Sequence, residues 1–298
     1  MSRFYNALRE ASLSKTPPNG VESVPVPPVP PTTGDDAAAS QARPIQKHGP
    51  PLLDDELNFG TAGRPDEPIS HHADVSMDQK ARLIPHAVDP TLVEHYRRLR
   101  TKIMQQQAAK PFRSLVVTSP NPGEGKSVTA LNVGLIFAML PDFRVVVVDG
   151  DLRKRTMGRW LGVEDRPGLS NLIDGSAKLE DVVLKSDESP MCFVVSGNSS
   201  RAPAELLNSS DLSGHFRRLG EHFDLILVDS PPVNLITDTQ LLASSCDAVL
   251  LVARAFSTTC KAFEKTVHDL ASFRVIGTVL NGGVNVRRYG YRYGYSGY

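Results

Sequence analysis

From Arg113 onward, apolar and polar positions come in alternating blocks. Apolar runs rich in β-branched residues, LVVTS (115–119), VVVVD (145–149), CFVVS (192–196), LILVD (225–229), AVLLVA (248–253) and VIGTVL (275–280), are separated by stretches of helical periodicity. A run without polar alternation marks a strand buried on both faces, and strands joined by helices build a parallel sheet. The pattern predicts a single doubly wound, mostly parallel α/β domain over about 85–286. At its start Leu92, Tyr96, Leu99 and Ile103 recur at i, i+4, i+7 and i+11, a buried helical stripe, with Asp89 as cap and Pro90 in the first turn. Glu94, Arg97 and Arg100 lie off that stripe, where an intrahelical Glu–Arg pair on a solvated face explains them without function.

On either side the pattern fails. Ten prolines fall between Pro17 and Pro51, including VPVPPVPP at 24–31, so residues 14–80 cannot build a core. Such a segment is expected to be disordered and extended, a stiffened linker; Pro25-x-x-Pro28 also has the spacing of a ligand for an SH3-like groove. Before it, Phe4, Tyr5, Leu8 and Ala11 share one face of a short helix over 2–13, which docks either on its own domain or on a partner. At the other end, Tyr289, Tyr291, Tyr293, Tyr295 and Tyr298, five of the chain's seven tyrosines, alternate with glycine, arginine and serine. That stretch is too short and glycine-rich to pack, and is expected to be a flexible tail. The chain divides into 1–84, 85–286 and 287–298.

Charge and composition narrow the function classes. Lysine plus arginine and aspartate plus glutamate are 33 each, so no global field points to nucleic acid or anionic lipid. Cys192, Cys246 and Cys260 lie far apart without metal-ligand spacing and read as reduced thiols of a cytoplasmic protein. The longest apolar stretches, such as Leu131–Leu140, fall short of the ~18–20 residues of a membrane span, and the N-terminus lacks the apolar core of a signal peptide. Any membrane association is expected to be peripheral, through a partner.

The chemistry sits at strand ends. The first strand runs into TSPNPGEGKS (118–127) and then the helical VTALNVGLIFAML, a phosphate-binding loop in its strand–loop–helix context. Gly123 and Gly125 let the backbone turn its N–H groups toward phosphate oxygens, and the helix N-terminus adds its positive end. Pro122, Gly123, Glu124, Gly125, Lys126, Ser127 and Val128 are thus expected to hold ATP, with Lys126 on the β- and γ-phosphates and Ser127 on Mg²⁺. Pro120 stands where the generic pattern begins with glycine. The second strand ends in Asp149-Gly150-Asp151-Leu152-Arg153, acids that either cap the next helix or serve as proton acceptor and metal ligand. The strand LILVD carries Asp229 to the carboxyl edge of the sheet, where such folds bind ligands and where a Walker B acid completes the Mg²⁺ shell. Asn281, after the last strand, either contacts the adenine or turns the chain. Trp160, His215 and His222 read as packing or surface residues.

These motifs resemble those of the bacterial tyrosine kinases (BY-kinases) of polysaccharide export, a P-loop ATPase fold unrelated to eukaryotic kinases. PGEGKS (122–127) looks like the family's Walker A, VVVVDGDLR (145–153) like its D-x-D-x-R motif, and LILVDSPP (225–232) like its Walker B. Glu94, Arg97 and Arg100 fit the E-x-x-R-x-x-R that joins subunits in a ring, PAELL (203–207) resembles a family segment, and the tail resembles the autophosphorylation cluster. The resemblance, over about 85–298, implies specific roles. Lys126 and Arg153 belong to the catalytic machinery, Ser127, Asp151 and Asp229 hold Mg²⁺, and Asp149 takes the proton from a tyrosine hydroxyl, whose free pKa of about 10 makes it a poor nucleophile. It implies the stand-alone cytoplasmic form, acting at the inner membrane through a chain-length regulator of a polysaccharide exporter and reset by a phosphotyrosine phosphatase.

Two other readings compete. A ParA/MinD-type ATPase shares the fold but places a signature lysine where this chain has Asn121. A non-catalytic nucleotide-binding scaffold would recruit partners through the proline segment and the tail. The tail's Arg287, Arg288 and Arg292 face no acidic neighbour, and each phosphotyrosine adds about −1.5 to −2 charge, so modification reverses its sign.

Overall fold

In the computed structural model the described residues are 69–73, 75, 90–186, 189–209 and 211–283. The helix expected over 2–13, the proline run, Asp89 and the tyrosine tail lie outside them. Every apolar run singled out above is a strand: β2 (Ser114–Thr118), β3 (Val145–Asp149), β5 (Ser189–Val194), β6 (Leu225–Asp229), β7 (Ala248–Arg254) and β8 (Val275–Asn281). β5 begins at Ser189 rather than at Cys192. Two short strands, β1 (His71–His72) and β4 (Leu184–Ser186), were not expected. The sheet order is β1-β4-β5-β3-β6-β2-β7-β8, parallel throughout except where β4 meets β5.

The segment read as linker up to residue 80 therefore contributes to the sheet. The His71 amide donates to the Val183 carbonyl at 2.7 Å and the Ala73 amide to that of Lys185 at 2.9 Å, and Ala73 and Val75 are buried. A backbone ladder needs no apolar side chains, so two histidines at a sheet edge leave no mark in the hydrophobic pattern.

β2, β3 and β6 are buried at every position, as parallel strands covered on both faces must be. One cover is α2 (Lys126–Ala138), apolar almost all round because it lies between the sheet and α1 (Pro90–Ala109). α1 turns Tyr96 and Leu99 toward the core and buries Ile103, as the spacing predicts, but at its start Val93 rather than Leu92 packs against the core. β6 lies between β2 and β3, with Asp149 and Asp229 directly in register. The Asp247 carboxylate ties the start of β7 to that of β2, accepting from the amides of Arg113 and Ser114 and from the Ser114 hydroxyl at 2.8–2.9 Å. The carboxyl ends of β2, β3 and β6 thus emerge side by side, and register alone brings their terminal residues to one edge.

Helix α2 approaches the sheet closely enough to require glycine. A Cβ at Gly134 would stand 2.7 Å from Val147 Cγ2 and 2.8 Å from Met191 Sδ. Gly134→Val should lower stability by about 1–3 kcal/mol through overpacking, seen in urea as a lower midpoint with an unchanged slope.

Candidate active site

After β2 the chain turns through Gly123 (φ 77°) and Gly125 (φ 95°), left-handed positions that an L side chain occupies only under strain, and enters α2 at Lys126. Pro122 and Gly123 are exposed at the crest of the loop, Val128 is half-buried, and Glu124, Lys126 and Ser127 are buried. The Lys126 ammonium turns down between strand ends. It lies 3.2 Å from Asp229 Oδ1, 3.6 Å from Asp151 Oδ2 and 3.2 Å from Ser127 Oγ. These are the three side chains that the sequence assigns to Mg²⁺.

Electrostatics explain why this arrangement holds. Asp149 and Asp229 are fully buried and Asp151 nearly so. Burial pushes Asp149 up to about 8, helped by the charge on Asp229 and opposed by the Met157 amide. Burial also raises Asp229, against the pull of Lys126. For Lys126 burial acts to lower the pKa, and the charges of Asp229 and Asp151 outweigh it and raise it. One ammonium cannot compensate three carboxylates, so the cluster is net negative and the proton affinity of Asp149 is raised. Asp151 Oδ2 and Asp229 Oδ2 have no hydrogen-bond partner among the described residues. Buried carboxylate oxygens without a hydrogen-bond donor, beside a hydroxyl, fit a hard divalent cation. Among the described residues no three His, Cys, Asp or Glu side chains are grouped so as to hold a metal ion by themselves.

The remaining candidates find other partners. Asp149 Oδ1 accepts from the Asp151 amide and Oδ2 from the Met157 amide, both at 3.1 Å, so this acid shapes the loop that carries Asp151. Arg153 forms a bidentate pair with Asp238 at 2.8 and 3.2 Å, bridging to helix α8 (Asp238–Ser244). Its guanidinium is engaged within the protein, the behaviour of a brace. Asn281 ends β8, and its side-chain amide donates to the Glu124 carbonyl at 3.0 Å. The Arg100 guanidinium donates to the Ile136 carbonyl of its own chain at 2.9 Å. Glu94 and Arg97 stay exposed, and Arg98, overlooked in the sequence, makes the closer pair with Glu94 at 3.3 Å. Tyr289, Tyr291, Tyr293, Tyr295 and Tyr298 lie outside the described residues.

Sequence reasoning also missed Asp238, Arg254 and Thr258. The only local signal was Arg254, a cation closing an otherwise apolar strand. Thr258 Oγ1 donates to Glu124 Oε1 at 2.6 Å, and Asn121 donates to the same carboxylate through its backbone and side-chain amides at 3.0 and 3.1 Å. The position where ParA/MinD-type ATPases carry a lysine is thus occupied here by a residue bracing the loop from within.

A family model described as ATPase MipZ matches residues 113–253, less than half of the chain. The tyrosine-protein kinase YwqD of Bacillus subtilis is 31% identical over 63% of this chain and 80% of its own length. EpsB of Ralstonia nicotianae is 33% identical over 72% of this chain; the match spans only 29% of EpsB. Among solved structures, the kinase domain of the Escherichia coli tyrosine kinase ETK superimposes with a TM-score of 0.66 at 25% identity, covering 74% of this chain and 86% of that one.

The bracing role of Arg153 is open to direct measurement. Arg153→Ala leaves the buried Asp238 without its partner and should cost about 1–3 kcal/mol in urea unfolding. Arg153→Lys should restore only part, because an ammonium cannot reproduce the bidentate fork.

Proposed function

Because the chain belongs to the bacterial tyrosine-protein kinases, we propose that it transfers the γ-phosphoryl group of ATP to tyrosine, and that its substrate is its own cluster Tyr289, Tyr291, Tyr293, Tyr295 and Tyr298. The observation that carries this reading is the Lys126 ammonium held beside Ser127, Asp151 and Asp229 directly behind the Gly123–Gly125 turn. Phosphoryl transfer demands little of a protein beyond positioning and charge stabilisation, and both are supplied here. Lys126 stabilises charge on the transferring group. Ser127, Asp229 and Asp151 would hold Mg²⁺, which when bound would supply neutralisation of phosphate charge. The amides of the loop and the first turn of α2 bind phosphate oxygens. Asp149 receives the tyrosine proton, its carboxyl fixed by two backbone amides. Arg153 holds the Asp149–Asp151 loop against Asp238.

The tail acts in trans within a ring whose contacts involve Glu94 and Arg97, with Arg100 setting the attitude of α1 on α2. Phosphorylation reverses the tail's charge, expels it from the neighbouring site and loosens the ring. No helix among the described residues is long and apolar enough to cross a membrane. The kinase is recruited instead by the cytoplasmic end of a membrane activator, serves capsule or exopolysaccharide synthesis, and is reset by a phosphotyrosine phosphatase. A second reading, ATP hydrolysis without a protein substrate, draws on the match to the ATPase MipZ over 113–253.

Purified protein incubated with Mg-ATP and the activator's cytoplasmic segment should gain phosphotyrosine within 289–298 by mass spectrometry. Lys126→Ala should abolish it. Asp149→Asn should abolish transfer and leave Mg-ATP binding within about twofold, since this acid touches no nucleotide in our assignment. ATP turnover without phosphotyrosine, with activator present, would sink the kinase reading in favour of the second. Sizing adds a separate check: the phosphorylated protein should form a smaller assembly, and identical assemblies in both states would contradict release of the ring.

A further inference from the structure

The loop's outward-facing carbonyls are gripped from the far side of the sheet. Arg254, at the end of β7, donates from Nη1 to the Gly123 carbonyl at 2.8 Å. Asn281, at the end of β8, donates from Nδ2 to the Glu124 carbonyl at 3.0 Å. Arg254 and Asn281 are partners in the β7–β8 ladder, and the Ala255 amide donates to the Asn281 carbonyl at 2.8 Å, so the two grips form one rigid unit. Thr258 completes it, accepting from the Arg254 amide at 2.7 Å while donating to the Glu124 carboxylate.

A trans peptide is planar, so its C=O and the following N–H point in opposite directions. Pinning the Gly123 carbonyl outward aims the Glu124 amide inward, and pinning the Glu124 carbonyl does the same for the Gly125 amide. Neither amide has a backbone acceptor among the described residues. A side chain on Gly125 would collide with the Asn281 amide, so the contact is also closed sterically.

We propose that Arg254 and Asn281 are positioning residues that aim the Glu124 and Gly125 amides at the nucleotide phosphates, an inference resting on the reading of this loop as the ATP site. Arg254 lies 131 positions and Asn281 157 positions from the carbonyl each holds, so phosphate affinity depends on strands far along the chain from the loop. Because Asn281 carries no charge, its replacement separates amide orientation from simple attraction of an anion.

The test compares ADP with adenosine as competitors of a fluorescent ADP, using the full chain with Mg²⁺. Arg254→Ala and Asn281→Leu should each weaken ADP by about tenfold, the order of one lost hydrogen bond to a charged group, and leave adenosine unchanged. Arg254→Lys should recover part of the loss. In the unmodified protein, the ¹⁵N–¹H resonances of Glu124 and Gly125 should move downfield on adding ADP, a readout that survives if a variant fails to fold. Equal losses for ADP and adenosine would make Asn281 a base contact and overturn the proposal. So would undiminished ADP affinity in folded variants, or unmoved Glu124 and Gly125 resonances. Failure of the unmodified chain to bind ADP would overturn the nucleotide-site reading itself, and the proposal with it.

Discussion

A single ammonium, that of Lys126, stands among carboxylates that would otherwise face one another without compensation. Asp229 and Asp151 approach it at 3.2 and 3.6 Å, and Asp149 is buried behind them. Bringing ionised carboxylates together out of water costs several kcal/mol per ion unless a cation or a proton answers them. Lys126 supplies the cation, and Asp149, whose pKa burial raises, is poised to take up a proton. The cluster thereby keeps a deficit of positive charge, which a bound Mg²⁺ would offset.

The architecture exists to hold that deficit in place. Asp149 and Asp229 are level because β3 and β6 pair in register, and β2 delivers the loop alongside because it is the other neighbour of β6. Around this centre a second set of polar contacts removes slack. Asp238 holds Arg153, Glu124 is held by Thr258 and Asn121, and Arg254 and Asn281 hold the loop's carbonyls. None of these residues needs to touch a phosphate. Their work is to fix the backbone whose amides do, which is how electrostatic preorganisation is built in general.

What the sequence reveals and hides follows from range. Lys126, Ser127, Asp149 and Asp229 were legible because each is written beside an apolar strand and so carries its own address. Apart from that of Asn121 with Glu124, the supporting contacts join positions 85 to 157 residues apart, and Asp238 or Thr258 looks like any polar residue until the sheet brings it to its partner. Arg153 was marked by its motif and Asn281 by its place after the last strand, and neither position foretold the hydrogen bonds they make to Asp238 and to the Glu124 carbonyl. β1 was invisible because His71 and His72 join the sheet through backbone groups alone.

In the proposed site Lys126 contacts phosphate while Ser127, Asp229 and Asp151 hold Mg²⁺. The most direct measurement is a crystal structure with Mg²⁺ and a non-hydrolysable ATP analogue. The account predicts that the Lys126 ammonium withdraws from Asp229 and Asp151 to phosphate oxygens, while a cation rests on Ser127 and on at least one of those two carboxylates. A structure in which nucleotide is bound and Lys126 remains paired to Asp229 would contradict it.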